Sequence, residues 1–385
     1  MIFSLNGLLR GFIYLTIVSS ITAIGISRLA PQESHFRILK PSMIVPVNGY
    51  HFRSYDRIPR VLDPMTGLLS DVTLEGVDSF DSATCSPWEN DRGQSYVVGR
   101  WLGRSKADDG ICQGCGLGRF KFPGGKTLER VKLDVMPVSR PCFFPDDPSR
   151  VIFAAGDGQL YRYQFEKESD TSESPGEGTR LSPLVWKVAT AGEMPVSIND
   201  PIWPTDPRLK SRLIASLTFI VKDTNGKSRM RTRLGWLQLN PAGTEIVRAG
   251  RLIGQPDTMT PGAGTTPRPD ESLPAVYSAG SGGGLTLAYM THEEHENGWG
   301  LHVAPLEIEF ETGIPIVDEL RCQTVADKQS HAIPIFSADG RTLFSVLNTD
   351  PKPETLVRIP VPNLERAPAA VLARLVLRKG RVAWN

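Results

Sequence analysis

Ser330-His331-Ala332-Ile333-Pro334-Ile335-Phe336-Ser337-Ala338-Asp339-Gly340-Arg341-Thr342-Leu343-Phe344-Ser345-Val346 enters through a proline and an aromatic, turns at Asp-Gly and returns through an apolar run. Asp caps a turn with its side chain and Gly accepts positive φ, so the stretch reads as two short strands joined at Asp339-Gly340. Weaker copies of the same phrase stand upstream. Ala83 to Gly93 leads into Ser95–Trp101, Arg140 to Pro148 into Arg150–Ala155, Asp200 to Pro207 into Arg212–Leu217, and Leu273 to Gly280 into Leu285–Tyr289.

Further strand pairs follow the phrases: Gly158–Tyr163 with Leu184–Val188, Arg233–Leu239 with Glu245–Ala249, and Leu301–Leu306 with Ile314–Val317. Four strands per repeat is the pattern of a propeller blade. The spacing of the phrases exceeds the ~40–50 residues of compact blades. Polar insertions at Lys167–Arg180 and Gly254–Asp270 account for part of the excess. Five phrases give at least five blades. Ser42–Val77 has strand-like pieces but no phrase, and can close a sixth blade with Leu372–Trp384, although Ala369–Leu377 also reads as a short helix. The expectation is an all-β propeller over 29–385, of six four-stranded blades with five or seven as alternatives, preceded by an N-terminal hydrophobic helix.

Pro334 to Val346 resembles the repeat of TolB-like propellers: proline, an aromatic, Ser-Pro-Asp-Gly, a basic residue and an apolar strand. Ala338 stands where that family has proline. The likeness implies a propeller and, as is common in that family, protein or ligand binding in the cell envelope. Propellers host many functions, so the substrate does not follow from it.

Gly11 to Ser27 carries no charge and is bounded by Arg10 and Arg28. About seventeen apolar residues fall just short of the roughly twenty that span a bilayer. Residues 1–28 therefore read as a signal peptide, with Ala23 and Gly25 as small residues near a cleavage site, or as an uncleaved anchor with Arg10 in the cytoplasm. Either places the remainder outside the cytoplasm, periplasmic or secreted, in contact with the membrane through this segment. A buried core helix is the third reading. The formal net charge of +1 gives no bulk attraction to nucleic acid, which is not expected as a partner.

The chain has 5 cysteines: Cys85, Cys112, Cys115, Cys142 and Cys322. Cys112 and Cys115 form a CxxC in what reads as a loop, Gly110–Gly118. A disulfide or a pair of thiols is the plain reading, with metal and redox roles as alternatives. Gly116 follows where c-type haem attachment needs His, and no second CxxC completes a zinc site.

His292, His295 and His302 are the weak candidates for a metal. The zinc-protease helix motif needs His where Glu296 stands, so a polar hairpin loop is the competing reading. Asp146, Asp147, Asp200, Asp206 and Asp339 are the carboxylates a propeller glycosidase would draw on, but each stands within a repeat phrase, where Asp forms turns. No Gly-x-Ser-x-Gly elbow occurs. Gly280 to Gly284 lacks the Lys and helix of a phosphate loop. Arg229, Arg231 and Arg233 alternate, which reads as a solvated basic strand face. His331 reads as a surface residue. No catalytic residue and no cofactor is assigned. The functional expectation is a scaffold binding an envelope protein or polysaccharide; the alternative is an exported glycoside hydrolase or lyase using carboxylates at the channel mouth.

Overall fold

The computed structural model describes residues 37–38, 43–46, 59–62, 69–72, 74, 79–89, 93–104, 112–165, 181–188, 194–222, 226–253, 269–280, 283–293, 298–337, 339–348 and 355–364. The fold is all-β, a five-bladed propeller, with two 3-10 turns as the described helical elements.

Each blade is an antiparallel sheet whose strands run outward from the centre in chain order. Blade one comprises Ser79–Glu89, Ser95–Arg104, Cys112–Phe122 and Glu129–Lys132, with Arg37–Ile38 added beside its inner strand. Blade two comprises Cys142–Phe144, Asp147–Ala154, Leu160–Gln164 and Leu181–Pro183. Blade three comprises Ser197–Ile202, Arg212–Lys222, Ser228–Leu239 and Glu245–Arg251. Blade four comprises Asp270–Ser278, Leu285–Glu293 and Gly298–Ile308, and its outer position is shared by Pro315–Val317 and Gln323–Asp327. Blade five comprises Ser330–Phe336, Thr342–Asn348 and Thr355–Pro360.

The chain passes from blade two to blade three through one continuous link. Leu181–Pro183 pairs antiparallel within blade two, and Val185–Trp186 pairs parallel to Glu245–Arg251 of blade three. Leu184, between them, is buried.

Blades pack face to face, so their second strands are buried on both sides and read as unbroken apolar runs. Ile152 and Ala154 join the core shared with blade three, while Val151 and Phe153 join the core shared with blade one. Leu213 and Ala215 likewise face blade two, and Ile214 faces blade four. Each such side chain stabilises by about 1.5–3 kcal/mol through removal from water, and successive residues serve opposite neighbours.

The expected propeller is borne out, with five blades, the count held beside six. Part of Ser42–Val77 forms a separate sheet of Met43–Pro46, Pro59–Leu62 and Leu69–Asp71, whose first strand lies against the inner strand of blade one. Its expected partner, Leu372–Trp384, lies outside the described residues, as do the N-terminal segment 1–28 and the insertion 167–180. Among the described residues no helix is long and apolar enough to cross a membrane. The CxxC departs from expectation: Cys112–Phe122 is a strand, because Gly114 to Phe122 pairs residue for residue with Ser95 to Gly103 of its neighbour. The side chains of Cys112 and Cys115 lie outside the described ones. Cys85, Cys142 and Cys322 are not disulfide-bonded.

Candidate functional site

Inner strands carry the phrases, and four of them break register at one place. Ser82 and Ala83 oppose one residue of the adjoining strand; so do Asp200 with Pro201, Leu273 with Pro274, and Ile333 with Pro334. Proline cannot donate to a ladder, so a bulge is where an inner strand tolerates it. Arg140-Pro141 holds the corresponding place at the start of blade two's inner strand. The first bulge residue has φ of 49° at Ser82, 48° at Asp200 and 52° at Leu273, the left-handed region that non-glycine residues avoid. Such strain persists only where surrounding contacts impose it. Here the preceding blade does so: the Asp200 N–H donates to Ser139 Oγ (3.1 Å) and the Leu273 N–H to Ser216 Oγ (3.3 Å).

All five inner strands converge on a central cavity of about 480 Å3. Pro141 and the bulge prolines Pro201, Pro274 and Pro334 line it, together with Trp203, Tyr277, Thr84, Thr205, Ser278 and Ser337. Trp203 packs on Phe144 at 4.8 Å between ring centroids, and Tyr277 on Phe336 at 5.9 Å. Arg140 is the charged residue of this wall. It is half-buried; desolvation lowers its pKa and the nearby Asp200 charge opposes that shift. Its guanidinium makes no hydrogen bond or close ion pair among the described residues. Asp200, next to the cavity residue Pro201, has its pKa raised by burial, against the attraction of Arg140 and a hydrogen bond from the Ser216 hydroxyl.

Asp200 is the carboxylate that sequence reasoning misplaced. It was expected in a turn, but it occupies a strand bulge beside the cavity residue Pro201. The other carboxylates of the phrases do hold turns. Asp147 accepts from the Ser149 N–H (2.9 Å) and pairs with Arg150, which also reaches Asp146 (3.1 Å). Asp339 accepts from the Ser337 hydroxyl and the Arg341 N–H. Asp206 caps the 3-10 turn Pro207–Leu209, pairs with Arg208 (2.8 Å) and accepts from the Ser278 hydroxyl of blade four (2.9 Å), so it fastens two blades at the cavity rim. The signal that separates Arg140 and Asp200 from the rest is their alignment: both precede the bulge proline, in adjacent copies.

Two further expectations are corrected. His331 is buried at 3% exposure, because its strand is the inner one of blade five. Neither ring nitrogen has a hydrogen-bond partner among the described residues. Arg231 and Arg233 are not solvated: they are 6% and 3% exposed, and both pair with Asp270 of blade four, at 3.8 and 3.3 Å. Of the metal candidates, His292 stacks on Trp299 at 4.2 Å. His302 has Nε2 at 2.8 Å from Thr291 Oγ1 and Nδ1 at 3.1 Å from Thr324 Oγ1. His295 lies outside the described residues. Among the described residues no cluster of three metal-ligating side chains occurs. Cys142 lines the cavity, but burial raises its thiol pKa, which disfavours the nucleophilic thiolate.

No protein-family model and no curated protein matches this sequence, so the TolB-like character of Pro334 to Val346 remains a resemblance. Among solved structures, the chain is similar to a mannose phosphorylase from Leishmania mexicana in complex with phosphate ion, at 12% identity over 76% of this chain and 87% of that one, TM-score 0.39. It is similar to the soluble aldose sugar dehydrogenase of Escherichia coli, at 14% identity over 85% and 98%, TM-score 0.39. It is also similar to an exo-1,5-alpha-L-arabinanase from a bovine ruminal metagenomic library, at 11% identity over 74% and 99%, TM-score 0.37. At these values the likeness carries no statement about substrate.

Proposed function

We propose that this chain is an exported propeller that binds a small polyhydroxylated molecule, such as a saccharide unit, in its central cavity. The observation that carries the reading is the wall itself: Trp203 and Tyr277 line it together with Thr84, Thr205, Ser278, Ser337 and Arg140. Aromatic faces with a few placed polar groups are the usual make-up of a ligand pocket. An envelope location follows from reading residues 1–28 as a signal peptide or anchor.

A second reading, a carbohydrate-processing enzyme, has one observation in its favour. Asp200 is a buried carboxyl beside the cavity whose pKa is raised by burial, as a proton donor requires. The charge acting on it is Arg140, and paired-carboxylate hydrolysis needs a second acid. Binding is therefore the preferred reading.

The test is calorimetric titration of residues 29–385 with a panel of neutral and acidic mono- and oligosaccharides, repeated with Trp203→Ala. Binding that weakens about tenfold or more in the variant supports the cavity site, on the scale of losing one aromatic contact face. Ligands that bind equally well to both proteins place recognition elsewhere and overturn the reading.

A further inference from the structure

We propose that Arg140 anchors an oxyanion, a carboxylate or phosphate, of the molecule that enters the central cavity. The inference rests on the cavity being a ligand site and names the chemical class it takes.

The argument begins from the unmet donors of one side chain. A guanidinium presents five N–H donors in a planar fork, and Arg140 directs none of them into a hydrogen bond among the described residues. The buried arginines of the ring, by contrast, are engaged. Arg119 donates twice to Glu129, Arg233 donates to Asp270 and to the Pro269 carbonyl, and Arg212 donates to the Thr312 carbonyl. A half-buried guanidinium in a cavity wall without protein partners has its donors open to a group that enters the cavity. Asp200 is near enough for its charge to act on Arg140, but the two form no close ion pair. The Asp200 carboxyl instead takes a hydrogen bond from Ser216, and its backbone N–H is held by Ser139.

Arg140 lines a cavity of about 480 Å3, so a ligand group can reach the fork from the open side. Carboxylate and phosphate match its geometry with two parallel hydrogen bonds, and charge-assisted bonds of this kind are roughly twice as strong as neutral ones.

Calorimetric titration with gluconate, glucose 6-phosphate and glucose, on wild type and on Arg140→Gln and Trp203→Ala, tests this. Folding of each variant is checked by thermal denaturation. The expected result is gluconate binding at least tenfold tighter than glucose, and a loss of about 10- to 100-fold in Arg140→Gln for the anion alone. Strong glucose 6-phosphate binding with weak gluconate binding identifies phosphate as the anchored group and supports Arg140. Anion binding unchanged by Arg140→Gln but weakened by Trp203→Ala leaves the cavity site standing and overturns the anchor. No binding of any of the three overturns both.

Discussion

Gly340 lies on the ring of Tyr277: a Cβ built on Gly340 would sit 2.3 Å from Tyr277 Cε1. The Asp339-Gly340 turn of blade five thus rests on a residue of blade four that lines the cavity. Gly340 also has φ of 69°, so two independent requirements exclude a side chain there. Gly340→Ala is expected to destabilise the fold by about 2–4 kcal/mol, combining positive-φ strain with overpacking. Urea denaturation measures it. In the Tyr277→Ala background the same substitution is expected to cost about half as much, since only the backbone strain remains. Equal costs in both backgrounds would show that the ring contact carries no weight.

Buried and unpartnered, His331 makes the protein sensitive to mild acid. Burial lowers its pKa below 6.5 in the folded chain, whereas the unfolded chain titrates near the unshifted value. The unfolded state therefore binds the proton first, and stability is lost as pH falls from 6.5 through the lowered folded value. His331→Leu is expected to remove that slope and, by relieving two unmet polar atoms, to add about 1–2 kcal/mol at pH 7. Denaturation at pH 5, 6, 7 and 8 decides it. A wild type as stable at pH 5 as at pH 8 would falsify the argument.

At the rim the sign is reversed. The hydrogen bonds from Arg208, its N–H and the Ser278 hydroxyl hold the Asp206 carboxyl below its ordinary pKa of 3.8, outweighing the effect of burial. This contribution is complete above pH 3.8 and disappears as pH falls through the lower folded value. Asp206→Asn is expected to lower stability at neutral pH and to flatten the acid limb between pH 4 and 2. Thermal melts across that range read both effects.

Asp270 holds two buried arginines of the neighbouring blade. Asp270→Ala leaves Arg231 and Arg233 without this carboxylate at the interface of blades three and four, at an expected cost of about 3 kcal/mol. Asp270→Asn, which still accepts from the Thr232 N–H and Arg233, is expected to cost less. If both substitutions leave the urea midpoint unchanged, the ion cluster contributes nothing to the interface.

The phrase from Ser330 to Val346 made the propeller legible because Pro, Asp and Gly punctuate it for backbone reasons that survive weak similarity. The same punctuation concealed the site. Asp200-Pro201 and Asp206-Pro207 are alike as dipeptides, yet the first is a strand bulge and the second caps a turn. Local sequence does not distinguish them; only alignment of the bulge positions does. Arg231 and Arg233 were misread because alternation marks two strand faces but does not say that either is solvated. In a propeller both faces meet neighbours. His331 was misread for the same reason.

The link from Leu181–Pro183 to Val185–Trp186 gives the ring a history as well as a shape. A single residue, Leu184, separates pairing in blade two from pairing in blade three. These two blades are not interchangeable cassettes. Duplicating or deleting one of them across that junction would leave Glu245–Arg251 without its parallel partner or shift its register.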